Sequence, residues 1–496
     1  MSQATAQPDS SSREVLPRAV VVAALAAYLF WSLVWPIGAG RDFDSYLMTL
    51  FDLPRRVADY PFQCAFRTPL TPLFLGLVCW PGRWFAGLVL AAGYLLVAAS
   101  IYRVVAPRSR PAAWLVLAMW LVSPSGGWMF RHLDSATLTA MLIAPWALAL
   151  LRADERTSAA SWARHGLMVA ALTLTRPANL VFGGVLAVPL LIGGRPWRGR
   201  LGGAAAFAAG MMLPLLGWAA HNRVCYQDFA VSRGSAAFMP LVRVMIFEEL
   251  MRPDNGPASA RLADAVQRRL LDRDYYRQRG VTIDQFFHLR STGSAGDLIS
   301  VCDQEWGWDC DYAPLRAAAM EAVSRHRAAY LRAVAADVFG LFANPLPRRA
   351  ANVDLSGAGA WSWLESRPAG YPAARRSGQG NVVELYQQSR YAAYADSAEA
   401  RPAWRALARR FDKAQLPMLP FLLVGLVGLW PMRRRADRLL AGLVVLAVAG
   451  LVITELGMWL IPEYRWPFDA LFLAFGGLGL ARWWPTCPRP ASSAPR

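Results

Sequence analysis

Hydrophobic residues in this chain gather into long runs separated by short polar turns. After a small, polar stretch at residues 1–12 that reads as disordered, the first run extends from Pro17-Arg18 to about Ile37, long enough for a membrane-crossing helix. It carries no small-residue cleavage site, so it reads as a retained first helix with a cytoplasmic N-terminus. Runs at about 83–104, 112–130, 135–152, 201–220, 415–431, 438–461 and 466–483 read as further spans. The run at 164–193 is interrupted by Thr175-Arg176-Pro177-Ala178-Asn179. A single helix there would hold a charge and a missing hydrogen bond at depth, so two short spans meeting at the outer face are expected. Pro69 to Trp80 is apolar but short and holds Pro69 and Pro72, which fits a partial or re-entrant element.

Two segments break the pattern. Residues 39–68 carry Asp42, Asp44, Asp52 and Asp59 together with Phe43, Tyr46, Leu47, Leu50 and Phe51 at helical spacing. This predicts a short amphipathic helix from Asp44 to Leu53 lying at the membrane interface. Residues 222–412 are polar, with helical stretches such as Ser259 to Arg273 and Leu315 to Phe342 between pieces rich in Gly, Pro and Ser. They read as one extracytoplasmic domain. The expected fold class is therefore all-α and polytopic, with about ten transmembrane helices, an interfacial first-loop helix and a mostly helical outer domain. The chain divides into an N-terminal membrane domain at 1–221 with the first outer loop at 39–68, the outer domain at 222–412, and C-terminal transmembrane helices at 413–496.

Composition agrees. Of 496 residues, 55% are hydrophobic and 21 are Trp, which suits an integral membrane protein and not a soluble enzyme. The net charge of +18 would suggest nucleic acid in a soluble chain. Here the basic residues lie in the turns, at Arg103, Arg108 and Arg110, at Arg195 to Arg200 and at Arg433-Arg434-Arg435, and no nucleic-acid motif accompanies them. That is the positive-inside pattern, with both termini in the cytoplasm, and the bilayer is the expected partner. The six cysteines form no CxxC pair and show no zinc-site spacing. With the central region outside the cytoplasm, Cys302 and Cys310 could close a small disulfide loop.

On this topology several ionisable groups share one face. Asp42 and Asp44 follow the first span, Arg67 precedes the next element, and Arg131, His132 and Asp134 form a turn. Arg176 lies at the hinge, His221 and Arg223 end the span at 201–220, and Glu463 and Arg465 precede the last span. Carboxylates can take a proton from an acceptor, and arginines can hold a phosphate with forked donors. Each also has a structural reading: Asp42 and Asp44 as helix caps, Arg67 as a snorkelling side chain, and Arg131 with Asp134 as an ion pair. Glu455, inside a predicted span, needs a partner or a cavity.

Four pieces together resemble the GT-C type of polytopic glycosyltransferase, in the branch of bacterial protein O-mannosyltransferases and lipid A aminoarabinose transferases. Gly40 to Tyr46 (GRDFDSY) is similar to the acidic motif of that family's first outer loop, and Phe66 to Leu75 (FRTPLTPLFL) to its R-x-P-L-x-P segment. Leu174-Thr175-Arg176-Pro177 is similar to its arginine hinge, and Ile461 to Ala470 (IPEYRWPFDA) to the element opening its last core helix. The resemblance implies inverting transfer of a sugar from a polyprenyl-phosphate carrier to a glycan, lipid or protein acceptor, on the outer face of a bacterial plasma membrane. It implies a first-loop aspartate as base, Asp44 being favoured over Asp42, with Asp134 as a second acid. Arg67, Arg131, Arg176 and Arg465 would hold the donor phosphate, and Tyr46, His221 and Glu463 would orient the acceptor. A divalent metal, with His132 or His221 among its ligands, is left open. The alternative is a transporter or flippase of a lipid-linked sugar, which would place charges within several spans, or a non-catalytic scaffold.

Overall fold

The computed structural model describes residues 16–40, 42–55, 65–192, 194, 196–288, 292–343, 382–397, 401–413, 415–430, 432, 434–457 and 462–484. Asp59, Arg195, Arg433 and Ile461, all named above, lie outside the described residues, as do Arg41 of the GRDFDSY motif and two of the six cysteines, Cys64 and Cys487. The described chain is almost entirely helical. Three helices, Arg83–Val105, Trp197–Tyr226 and Arg435–Gly457, are long and apolar enough to cross a membrane. Beside them stand shorter apolar helices at Arg18–Val34, Arg110–Val122, Ser135–Leu151, Pro177–Leu191 and Leu419–Leu429, with Ala159–Thr175 and Asp469–Leu480 of similar length.

Sequence explains where these helices stop. The run at 112–130 is cut at Ser123, because Pro124 opens a separate short helix, Pro124–Met129. The run at 164–193 is cut at Arg176, whose φ of −148° and ψ of 121° are extended, the conformation that a following proline imposes. Pro177 then starts a second piece, and Asn179 Nδ2 donates to Leu172 O (2.9 Å), which also accepts from Arg176 N (2.9 Å), so the side chain ties the second piece to the end of the first. The surface is as informative as the core. Leu29, Leu77, Trp84, Leu213 and Val445 are each more than 60% exposed, a pattern suited to lipid and unfavourable in water.

Helices pack closely where glycine allows it. A Cβ on Gly166 would lie 2.0 Å from Phe207 O, and one on Gly210 would lie 2.1 Å from Ala163 O. The helices Ala159–Thr175 and Trp197–Tyr226 thus touch backbone to backbone, the small-residue contact expected where neither helix gains from leaving water. At one end of the bundle Arg108 pairs with Asp437, and Arg482 Nη1 donates to Trp430 O (2.5 Å) and Gly428 O (3.3 Å). At the other end, Gly38–Ala39 (β1) pairs in parallel with His132–Leu133 (β2).

Two apolar cores result. The larger joins the apolar helices and takes in Leu341, Phe342, Tyr386, Tyr391, Tyr394 and Ala408. The second is built from residues between Tyr226 and Val334 and also includes Ala65. Arg243, fully buried, links them: it pairs with Glu455 at the end of the helix Arg435–Gly457, with Glu248 (2.9 Å) and with Asp337 (3.1 Å). Glu455 therefore has the partner that an acid in that position requires.

Candidate functional site

The first outer loop and the turn before the helix Ser135–Leu151 are stitched together by the two-residue parallel ladder. Gly38 N donates to Arg131 O (3.2 Å) and Gly40 N to Leu133 O (3.1 Å). Gly40 is required by this approach, since a Cβ there would lie 2.6 Å from Asp134 Cβ and 2.9 Å from Leu133 O. Just past it, Asp42 has φ of 59°, a left-handed backbone uncommon for a residue with a side chain. The helix Phe43–Arg55 follows, close to the boundaries its periodicity predicts. It is held from beneath by Leu47 and Met48, both buried, and by Tyr226, whose hydroxyl donates to Asp52 Oδ2 (2.5 Å).

Arg67 is the centre of the cluster. Its Nη2 lies 3.3 Å from Asp42 Oδ2, its Nε donates to Ser45 Oγ (2.8 Å), and its guanidinium carbon sits 4.7 Å from the Tyr46 ring centroid. Burial by itself would push Arg67 down; the Asp42 carboxylate, with Tyr46 and Tyr464, outweighs it and holds the group above the usual arginine value. Arg176 reaches the same place from the hinge, its guanidinium carbon 4.2 Å from the Tyr464 ring centroid. Thr71 Oγ1 donates to Thr175 O (3.1 Å), fixing the helix Leu70–Cys79 against that hinge. Asp134 caps its helix through Thr137 N (2.9 Å). Burial raises its pKa, while the Thr137 bonds and the Arg176 charge partly offset the rise.

Asp42, Asp44, Tyr46, Arg67, Asp134, Arg176 and the segment bearing Glu463 therefore gather at one end of the bundle. Asp44 lies in the first helical turn and one of its oxygens accepts from Ser45 N (2.8 Å), whereas the Asp42 side chain is 41% exposed. Three residues proposed from sequence have other work. Arg465 is fully buried, pairs with Asp469 (2.9 Å) and donates to Leu341 O (2.6 Å) and Leu416 O (3.2 Å). Arg131, also buried, donates to Trp35 O and to the Tyr28 hydroxyl, both at 2.9 Å. Each of these guanidinium groups is buried and joins segments of the fold, whereas Arg67 keeps part of its side chain exposed. His221 stacks on Trp218 (4.7 Å between ring centroids) and lies 3.5 Å from Cys225 Sγ, within its own helix.

Two participants were not singled out by sequence. Ser45 orients Arg67, and Tyr464 carries the Arg176 guanidinium over its ring while its hydroxyl is near enough to Arg67 to act on that charge. Tyr464 sits in the quoted motif IPEYRWPFDA, so its position was visible, but nothing in the spacing linked it to Arg176, far away in the chain. Among the described residues no group of three or more His, Cys, Asp or Glu side chains is placed to hold a metal ion. His132 stacks on Trp128 at 3.8 Å and its Nδ1 lies 2.8 Å from Trp128 O.

No protein-family model matches the chain, and no curated protein matches it. Among solved structures the chain is similar to ArnT from Cupriavidus metallidurans bound to undecaprenyl phosphate, at 13% identity, with 93% of this chain and 77% of that one covered and a TM-score of 0.32.

Proposed function

We propose that the protein is a multi-pass membrane glycosyltransferase that moves a sugar from a polyprenyl-phosphate carrier to an extracytoplasmic acceptor. The observation that carries this reading is the convergence of Asp42, Arg67, Arg176 and Tyr464, from four separate segments, at one end of an apolar helical bundle. About ten passes, with the basic turns at 103–110 and 433–438 inside, would put this end on the outer face. Arg67 and Arg176 offer forked donors to the carrier's phosphate, which is both the donor headgroup and the leaving group, and their charge favours its departure. A carboxylate of the first loop takes the acceptor's proton as the acceptor oxygen attacks the anomeric carbon and the bond to the phosphate breaks. Geometry favours Asp42 for this step over Asp44, because Asp42 is beside Arg67 and open to an incoming acceptor. Asp134, capping its helix, serves to position the loop.

The charges of the long helices support a transferase over a transporter. Asp437 and Glu455 lie in the first and last turns of Arg435–Gly457 and are paired with Arg108 and Arg243. A transport pathway calls for charges along the middle of the spans. The test is sugar transfer from a labelled polyprenyl-phosphate donor by wild type, Asp42→Asn, Asp44→Asn and Arg67→Ala. Loss of about a hundredfold or more in Asp42→Asn is expected. A wild type inactive with every plausible donor, or full activity in both aspartate variants, would overturn the proposal.

A further inference from the structure

Outside the candidate site the second core holds a pair of thiols with an unusual surrounding. Cys302 is buried and Cys310 half-buried, and their sulfurs are 3.6 Å apart. The chain between them carries Trp308, and that residue is a junction. Its indole Nε1 donates to Tyr226 O (2.8 Å), and Tyr226 in turn holds Asp52 of the helix Phe43–Arg55. The Arg233 guanidinium lies 3.8 Å from the Trp308 ring centroid and donates to its carbonyl. Arg233 N then donates to Ala65 O (2.9 Å) and Ser232 Oγ to Phe66 O (2.7 Å), the two residues before Arg67. The nine residues from Cys302 to Cys310 thus brace Arg67 and its neighbouring helix from the far side.

We propose that Cys302 and Cys310 are joined in the working protein by a disulfide, made by exchange with an external disulfide, and that this bond fixes the Trp308 loop that braces Arg67. The sulfurs need to close by about 1.5 Å to reach a disulfide bond length of ~2.05 Å, a shift within side-chain rotation. Balance is simple. The Cys310 thiolate attacks one sulfur of the external disulfide, that S–S bond breaks, and the released thiolate takes a proton from water. Cys302 then loses its proton and its sulfur attacks Cys310, expelling the second external thiol. Two thiols are oxidised and one external disulfide is reduced.

The surroundings suit each role. Cys310, the more accessible, is pulled down to about 7 by its contact with Cys302, assisted by the Tyr312 backbone and Arg233, so a thiolate is available near neutrality. Cys302 is pushed up by its contact with Cys310 and by burial, as suits the thiol that reacts second. Asp303 is the neighbouring proton acceptor: it is buried, its Oδ1 has no hydrogen-bond partner among the described residues, and both thiols feel its charge. The exchange needs this region outside the cytoplasm, so it shares the topology of the proposed function but not its chemistry.

The test uses the full-length protein, with free thiols blocked by maleimide in intact membranes before solubilisation. Peptide mapping without reductant is expected to return the 302–310 crosslink, and reduction should expose two further thiols. Reduction should also lower the wild-type Tm by several degrees, while Cys302→Ser/Cys310→Ser should melt near reduced wild type and ignore the reductant. Recovery of both residues as maleimide adducts overturns the bond, and this reading needs no variant to fold. A Tm unmoved by reduction of a demonstrated crosslink overturns the bracing role. Neither readout involves sugar transfer, so failure of the bond and failure of the transferase reading are separable.

Discussion

At the scale of single residues the site depends on how one guanidinium is held. Arg67 uses Nε for Ser45 and Nη2 for Asp42, a forked geometry that lysine cannot reproduce although it carries the same charge. Arg67→Lys is therefore expected to lower kcat/KM by about a hundredfold and Arg67→Ala by about a thousandfold, read in the labelled-donor assay. A second residue reports on stability. Burial pushes Asp303 up to about 7, with Cys310 adding to the rise and Tyr312 and Arg233 opposing it. An acid whose folded pKa is raised stabilises the fold fully below its unfolded value, near 4, and that contribution is lost as pH rises through about 7. The Tm should fall between pH 4 and 7 by the equivalent of at most about 4 kcal/mol. Asp303→Asn, neutral at every pH, should remove that slope, which a thermal-melt series across the interval would show.

Between elements, the tightest contact is the one through Gly166 and Gly210, where each missing Cβ leaves room for a facing carbonyl. Gly166→Leu has to push the helices Ala159–Thr175 and Trp197–Tyr226 apart, at a cost of about 3 kcal/mol. The same two helices position the Arg176 hinge and, through Tyr226, the helix Phe43–Arg55, so transfer should fall along with Tm. Gly217→Leu provides the control. It lies on the same long helix, but a Cβ there meets nothing within 4 Å, and detergent-solubilised protein should melt within about a degree of wild type, as surface changes usually do.

Across the whole molecule, the second core and the apolar bundle are joined at Arg243, one buried cation among Glu248, Asp337 and Glu455. Arg243→Met would leave three carboxylates gathered without their counter-charge. A loss of about 3–5 kcal/mol is expected, measured as a shift of the denaturation midpoint. Glu455→Gln should cost less, since Arg243 keeps two acidic partners and a bond to the Glu455 backbone carbonyl (2.8 Å). If both variants melt like wild type, the cluster does not join the two cores energetically.

What the sequence by itself determined was the succession of apolar helices, the amphipathic helix after the first of them and the break at Arg176-Pro177. Each is a local property: hydrophobic periodicity shows which face needs burial, and a proline denies a backbone bond wherever it stands. Among the described residues three helices are long and apolar enough to cross a membrane, and caps such as Ser123 with Pro124 cut a run that reads as continuous. Which acid meets which base was decided by tertiary structure. Arg67, Arg176 and Arg465 look alike as arginines near prolines, yet two converge on Tyr464 while the third is enclosed by Asp469 and two carbonyls. Glu455 carried a visible need for a partner, but Arg243 lies more than 200 residues away in the chain. Contacts at such separation depend on how helices cross and how loops close, and no spacing along the sequence encodes them.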